Sequence, residues 1–368
     1  MTKKNVYVLF GGKSGEHEVS LKSASSVIKA LDRNKYNVIP IAISHQGRWI
    51  MGVEPEQVLA GDVELDKMTR ETVFLPADPG MGRLVVLEGG RASGSGGKID
   101  VVIPVLHGTY GEDGTVQGLL ELANVPYVGA GVLGSALGMD KVMMKTVLAY
   151  HGIPQPGFMS CLRSDLERDP EKTAEEIERE LGLPCFIKPA NLGSSVGISK
   201  ARNRKELLEG LKMAAAFDRK MIVEEAVEAR EVEVSVLGND HPSASLPGEI
   251  VPLKDFYDYE SKYVDGMSEL KIPADLPEDT VKLLQETAVK VFRALDCSGM
   301  ARVDFFLLKK DGTVMVNEIN TIPGFTHLSM YPKLWEVTGI SYPDLLDRLI
   351  NLAIERHSDK NRNKTCLC

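Results

Sequence analysis

Twenty residues, ARVDFFLLKKDGTVMVNEIN from Ala301 to Asn320, constrain this chain more than any others. Two apolar runs flank Lys310–Asp311–Gly312, the pattern of a β-hairpin. Acidic side chains are disfavoured inside apolar strands, so Asp304 and Glu318 need a reason to be there. A three-residue loop with Gly312 in the left-handed position pairs Lys309 with Thr313. Counting outward then sets Asp304 opposite Glu318 and Arg302 opposite Asn320, four polar groups on one face. Facing carboxylates repel unless a cation lies between them, and an amide oxygen alongside suits a hard Mg²⁺ ion. A two-residue Asp–Gly loop would instead put Asp304 opposite Ile319 and break the cluster. The plainer alternative is a solvated face with an incidental ion pair, which the apolar flanks disfavour.

A chain of 368 residues has room for two or three domains around a cleft. Acidic residues outnumber basic ones, 52 to 43, for a formal charge of −9, the opposite of the basic footprint of a nucleic-acid binder. No apolar run approaches the ~18 residues that span a bilayer, and the N-terminal MTKKNVYVLFGG is too short for a secretory signal. The expectation is a cytoplasmic protein with no nucleic-acid or membrane partner. The five cysteines are scattered and do not suggest a disulfide framework. Cys366 and Cys368 close a polar tail that reads as a frayed terminus or, less simply, as two metal ligands.

Three segments follow from the punctuation of the chain. Residues 1–138 alternate strands and helices, with strands at Val6–Phe10, Asn37–Ser44 and Ile99–Leu106 and a helix from Glu16 to Leu31. This is an open parallel α/β domain. Its stretch 89–97, GGRASGSGG, reads as a flexible surface loop. Residues 139–230 form an α+β unit with strands at Cys185–Lys188 and Met221–Glu225. Residues 231–368 contain the hairpin, a half-exposed strand at Glu231–Leu237 and a helix near 278–295. No internal repeat is visible.

Divalent ions held by few protein ligands usually bridge to phosphates, so anion donors are the next search. Lys188 ends the strand CFIK before PANLGSSVGIS, where Gly193 and Gly197 free the backbone and Ser194 and Ser195 add donors. Taken alone this is a Gly/Ser turn; no GxxxxGK[ST] loop is present. Lys141, in LGMDK, offers a second charge or is a solvated helical lysine. The end of the strand at Met221–Glu225 can present backbone amides to an adenine edge, with Glu231 near a ribose. EEAVEAREVE also reads as an acidic surface run.

Six blocks in this order resemble the D-alanine–D-alanine ligases of the ATP-grasp superfamily: GGKSGEHEVS (11–20), LHGTYGEDGTVQGLLE (106–121), GMDK (138–141), IKPANLGSSVGI (187–198), FYDYESKY (256–263) and ARVDFF…VNEINTIPGFTHLSMYP (301–332). The resemblance covers nearly the whole chain. It implies a three-lobed ATP-grasp fold and ATP-dependent joining of two D-alanines through a D-alanyl phosphate, releasing ADP and phosphate, for peptidoglycan precursor synthesis. It implies that Lys141 and Lys188 contact phosphates under a lid containing Ser194 and Ser195. Glu224, Glu225, Ala226 and Val227 would hold the adenine, and Glu231 the ribose. Asp304, Glu318 and Asn320 would carry two Mg²⁺ or Mn²⁺ ions, and Arg302 with the Gly324 amide would face the reacting acyl group. Glu16 would receive the first D-alanine's ammonium, His107 would lie near the amino-acid pocket, and Ser329 with Met330 would hold the second carboxylate. Lys262 and Tyr263 would lie on a closing loop. A homodimer is also implied.

Without the resemblance, Glu16 is simply a carboxylate favoured at a helix start, Tyr263 a packed loop anchor and His107 a structural histidine at a strand end. The competing functions are a D-alanine–D-lactate or D-serine ligase, another ATP-grasp carboxylate–amine ligase, and a nucleotide-binding regulatory protein. Tyr263 favours D-alanine as second substrate, because depsipeptide-forming relatives resemble each other in having a histidine in that loop. Arg302 beside Asp304 favours catalysis over regulation. GGKSGE lacks GxGxxG, which argues against a dinucleotide enzyme.

Overall fold

The computed structural model describes residues 2–68, 72–88, 91–193, 196–252 and 268–364. Its first sheet contains Lys4–Gly11 (β1), Tyr36–Ile43 (β2), Trp49–Met51 (β3), Thr72–Phe74 (β4), Arg83–Glu88 (β5), Arg91–Lys98 (β6) and Val101–Val105 (β7), in spatial order β6-β5-β4-β3-β2-β1-β7. Only β2, β1 and β7 run parallel; β3 to β6 extend them as an antiparallel wing. The expected parallel domain is therefore parallel at its core alone. β7 is buried throughout, as its continuous apolar run requires.

The wing corrects one expectation. Arg91–Lys98, read as a flexible loop, is an edge strand. Its small residues bury almost nothing, so backbone pairing with β5 holds it. Two core-strand side chains also reach across: the Tyr7 hydroxyl donates to the Gly97 carbonyl at 2.9 Å and Asn5 Nδ2 to the Lys98 carbonyl at 2.9 Å.

The second sheet comprises Phe158–Leu162 (β8), Cys185–Pro189 (β9), Ser199–Ala201 (β10) and Lys220–Glu225 (β11), in order β10-β9-β11-β8. Cys185, Ile187, Met221 and Val223 share one core with Ala174, Ile177, Leu207 and Leu211 of the covering helices Pro170–Glu180 and Arg204–Phe217. By the two-residue period of a strand, Phe186, Lys188, Ile222 and Glu224 occupy the opposite face. Asn203 caps the second of these helices through the Glu206 amide.

The third sheet comprises Ala229–Gly238 (β12), Ser243–Ala244 (β13), Gly248–Pro252 (β14), Ser268–Lys271 (β15), Gly299–Leu308 (β16) and Val314–Asn320 (β17). Its order is β15-β14-β12-β16-β17, with β13 on β12. β12 lies between β14 and β16 and is buried from Val232 to Gly238, so it is central rather than half-exposed as its alternation suggests. Glu231 and Glu233 share the face of Asp304 instead of meeting solvent, while Arg230, on the other face, pairs with Glu249.

Helices Met330–Val337 and Tyr342–Lys360 return to the first sheet. Tyr331, Trp335, Leu346 and Leu349 share one core with Val6, Phe10, Leu21 and Val105. No helix among the described residues is long and apolar enough to cross a membrane.

Candidate active site

The hairpin has the expected outcome and an unexpected route to it. Arg302 pairs with Asn320 and Asp304 with Glu318. The turn, however, is four residues long: Leu308 donates to Thr313, and the Gly312 amide closes on the Leu308 carbonyl. That turn alone would bring Asn317, not Glu318, opposite Asp304. A bulge between Asp304 and Phe305 leaves Asn317 over and restores the register. The shorter assumed turn and the unforeseen bulge differ by one residue each, in opposite senses.

β12 adds a carboxylate that the sequence reading missed. Glu233 lies opposite Asp304 on the side away from Glu318, so three carboxylates stand abreast on three adjacent strands. Arg302 holds two of them. Its Nε and Nη2 donate to the two Asp304 oxygens at 2.7 Å each, and Nε lies 2.8 Å from Glu233 Oε2. Burial opposes its charge, but Asp304 and Glu233 outweigh burial and hold the guanidinium firmly protonated. Asn320 Nδ2 donates to Asp304 Oδ2 at 3.0 Å. The EVEVSV alternation was the available signal for Glu233; it becomes informative once β12 is known to be buried on both faces.

The basic side comes from β9 and from helix Lys141–Tyr150, whose Met144 and Leu148 pack in the core of the third sheet. Asp140 caps helix Lys141–Tyr150 through the amides of Val142 and Met143. Lys141 then points inward, donating to the Leu192 carbonyl at 2.9 Å and lying 3.5 Å from Glu318. It is buried, which removes the solvated-helix alternative. Lys188 lies 2.6 Å from Glu224, and Lys145, one turn beyond Lys141, lies 3.1 Å from the other Glu224 oxygen. Burial raises the carboxyl's proton affinity, yet the two lysines pull Glu224 down to about 2. Lys145 was not foreseen; its i+4 spacing from Lys141 was the signal.

The nucleoside candidates sort by what they already bond. Glu224's carboxylate is committed to lysines. The Glu225 amide donates to the Gly157 carbonyl at 3.0 Å and the Ala226 amide to the Pro184 carbonyl at 3.2 Å. Val227, next in line, is the remaining amide for a base edge. Glu231 stands on the site face of β12, opposite Phe306, and its charge reaches Lys188.

Glu16 precedes helix His17–Ala30, but its carboxylate makes no capping bond. It fills a gap between two glycines. A side-chain carbon on Gly108 would lie 2.5 Å from Glu16 Oε2, and one on Gly193 2.7 Å from the same atom. Gly108 also has φ +75°, so its glycine is required twice over. Glu112, unremarked in the sequence, is buried alongside and accepts from the Gly108 amide at 3.0 Å. Burial first, and then the charge of Glu16, push its carboxyl well above the usual range.

His107 is buried and engaged at both nitrogens. The Ile322 carbonyl, 3.0 Å from Nδ1, can only accept, so Nδ1 carries the proton and Nε2 accepts from the Ser23 hydroxyl at 3.0 Å. Ser23 Oγ in turn accepts from the Phe325 amide at 3.3 Å. Ser23 and His107 thereby pin both ends of the loop that carries Gly324. Ser329 Oγ lies 3.1 Å from where a Gly324 side-chain carbon would be, and it bonds Thr326 Oγ1 at 2.8 Å. The Met330 side chain packs with Ile250 and Leu334, so only its backbone is available to a ligand. Ser194, Ser195, Lys262 and Tyr263 lie outside the described residues.

Among the described residues one cluster has metal-like composition: ligand atoms of His17, Glu18 and His45 lie within 4.8 Å of one another. The two imidazoles stack at 3.9 Å between centroids and 26° between planes, so their lone pairs run side by side rather than converging.

Lysines, acids and a wedged carboxylate thus meet around one cleft, and the chain as a whole is similar to known proteins. A family profile described as "D-ala D-ala ligase N-terminus" matches residues 5–130, and one described as "D-ala D-ala ligase C-terminus" matches 147–351. A D-alanine--D-alanine ligase of Natranaerobius thermophilus is 50% identical over 365 residues, 99% of each chain. Among solved structures, the D-alanine-D-alanine ligase from Coxiella burnetii is 38% identical with a TM-score of 0.82, over 98% of this chain and 97% of that one. The VanG D-Ala:D-Ser ligase from Enterococcus faecalis is 38% identical with a TM-score of 0.84, over 96% and 100%. The fold is therefore the three-lobed ATP-grasp architecture, and the chain belongs to the D-alanine–D-alanine ligase family.

Proposed function

We propose that this chain joins two D-alanines at the expense of ATP, forming D-alanyl-D-alanine for peptidoglycan precursor synthesis. The observation that carries the reading is that Lys141 donates to the Leu192 carbonyl, past the end of β9, and lies 3.5 Å from Glu318, joining the Lys188 side of the cleft to the acidic face. A site for a metal-bridged triphosphate needs that juxtaposition.

A free carboxylate is a poor acyl donor because oxide would have to leave. In the first step an oxygen of the first D-alanine's carboxylate attacks the γ-phosphorus of ATP, the bond to ADP breaks, and an acyl phosphate forms. In the second, the amine of the second D-alanine attacks the acyl carbon, loses a proton, and phosphate departs with the bonding pair. Lys141 and Lys188 neutralise the phosphates, since phosphoryl transfer depends on positioning and charge. Arg302 and the Gly324 amide stabilise the tetrahedral oxyanion; loss of such a donor typically costs on the order of 100–1000-fold. Arg302 spends Nε and Nη2 on Asp304, so Nη1 is the edge left for the substrate.

Glu16 receives the first ammonium, with His107 holding the pocket wall, and Ser329 and the Met330 amide receive the second carboxylate. Val227 and Glu231 hold the nucleoside; the roles of Ser194, Ser195, Lys262 and Tyr263, which lie outside the described residues, rest on the family resemblance. Three aligned carboxylates and an amide fit hard divalent cations, and Asp304, Glu318 and Asn320 would hold two Mg²⁺ or Mn²⁺ ions. When bound, such ions neutralise charge on the transferring phosphoryl group.

Lobes at 1–138, 139–230 and 231–368, a homodimer and a cytoplasmic setting complete the reading. A D-serine acceptor is the second reading, favoured by the likeness to the D-Ala:D-Ser ligase; the 50% identical ligase and Tyr263 favour D-alanine. Phosphate release from ATP with D-alanine alone, and with D-serine or D-lactate added, decides between them. Release with D-alanine alone, giving the dipeptide, is expected. No release with any of the three would sink the reading.

A further inference from the structure

Lys145 has no part in the chemistry above, yet its placement is unusual. Its side chain is 1% exposed, and its ammonium lies 3.1 Å from Glu224 Oε1. Glu224, 4% exposed, is also 2.6 Å from Lys188, 11% exposed. One carboxylate and one lysine would make a neutral buried pair. Here a second lysine is buried with them, so the group of three carries one more positive than negative charge, offset only by the fields of Glu318 and Glu231 beyond it. Burial drives the Lys145 ammonium toward deprotonation and Lys188 repels it, with Glu224 as its main support. A residue retained for stability alone would be better replaced by methionine.

The arrangement makes sense if Lys188 has to move. Its ammonium is now held by Glu224, whereas a phosphate-binding lysine must turn toward its ligand. Departure of Lys188 from a lone partner would strand a buried carboxylate, which is strongly unfavourable. Glu224 has a second oxygen, already opposite a second lysine. We infer that Lys145 is a positioning residue that keeps Glu224 neutralised and so releases Lys188 to bind a nucleotide phosphate. The inference rests on the ATP-binding reading above and adds to it how the phosphate-binding lysine is freed.

The test is isothermal titration of ATP, and of adenosine as a probe without phosphates, on the full-length protein and the variants Lys145→Met, Glu224→Gln and Lys145→Met/Glu224→Gln, with kcat and KM for ATP alongside. In Lys145→Met, Glu224 has Lys188 alone and holds it back. ATP binding should weaken by roughly thirtyfold or more, the scale for unbalancing a buried charge pair, with adenosine binding unchanged. Removing Glu224's charge as well should return the double variant to within about threefold of the parent's Kd for ATP. If Lys145→Met fails to fold, the double variant decides on its own, since it carries no stranded charge and must meet the same threefold limit. Parent-like ATP binding by Lys145→Met overturns the inference. So does equal loss of ATP and adenosine binding with no recovery in the double variant, the result of a purely structural role. A parent protein that binds adenosine and ATP equally weakly overturns the ATP reading itself, and this inference with it.

Discussion

Replacement of Arg302 by alanine tests the acidic face most directly. The guanidinium serves two carboxylates at once, Asp304 at 2.7 Å through both oxygens and Glu233 at 2.8 Å, and the three side chains are 16%, 13% and 7% exposed. Deleting one partner of a buried ion pair costs about 3–5 kcal/mol, because the other charge remains buried. Glu318, facing Asp304 across the hairpin, adds like-charge repulsion of about 0.2–1 kcal/mol. Against a total stability of about 5–15 kcal/mol, the variant should fold with a much thinner margin. With a urea m-value near 3 kcal/mol/M, its midpoint should fall by about 1–2 M in circular-dichroism titrations. Arg302→Lys keeps the charge but lacks the fork for Asp304, so it should lie between the two. Arg302→Met/Glu233→Gln should recover part of the loss by removing a stranded charge. Millimolar Mg²⁺ should raise the midpoint of Arg302→Ala more than that of the parent, since Asp304 and Glu233 then lose the cation they share. A parent-like midpoint for Arg302→Ala without divalent ions, or an equal Mg²⁺ effect on both proteins, would refute the assignment of Arg302 as the counter-ion of this face.

Two further substitutions probe the amino-acid side. Gly193→Ala would set a methyl carbon 2.7 Å from Glu16 Oε2 and force that carboxylate aside. A shift approaching 1 Å can cost on the order of 100-fold, so kcat/KM for D-alanine should fall steeply with little change in thermal midpoint; unchanged kinetics would mean that Glu16 is not the ammonium site. Glu112→Gln tests the neutral carboxyl. Its raised folded-state proton affinity makes its contribution greatest below the ordinary value of 4.5, with stability lost as pH rises from there toward the folded-state value. The glutamine variant lacks this slope, so the parent should lose more urea resistance than Glu112→Gln between pH 5 and 8. Parallel pH profiles would show that Glu112 is ionised in the folded protein.

The fold was legible where the chain obeys local rules. Continuous apolar runs marked the buried strands β1 and β7, and the polar pairs of the β16–β17 hairpin were readable from spacing. Arg91–Lys98 escaped because edge pairing through backbone leaves no hydrophobic period. β12 escaped because alternating charge looks the same whether the polar face meets water or an interior site. The hairpin register was correct although its turn was not, because the Asn317 bulge cancels the extra turn residue, and bulges carry no composition signal here. At the site, glycine turns and isolated acids pointed to Lys188, Asp304 and Glu318. Lys145, Glu233 and Ser23 were overlooked because each acts through a partner far away in sequence, as in the Ser23 contact with the Phe325 amide, and Glu112 because nothing local shows that its turn is buried.

The second sheet is an insert whose two necks leave from nearly the same point. The Glu225 amide bonds the Gly157 carbonyl across the base of the insert. Just outside it, the Pro154 carbonyl receives the Val316 amide and the Glu228 carbonyl receives the Lys309 amide. Both necks are therefore fastened to the β16–β17 hairpin, the element that also bears Arg302, Asp304 and Glu318. The first sheet, meanwhile, shares its core with the C-terminal helices and forms a frame with them. The fastening points, Lys309 and Val316, lie toward the turn end of the hairpin, while Arg302, Asp304, Glu318 and Asn320 lie toward its open end. The insert carrying Lys188 is thus anchored on the same two strands that bear the acids, so one hairpin sets the position of both.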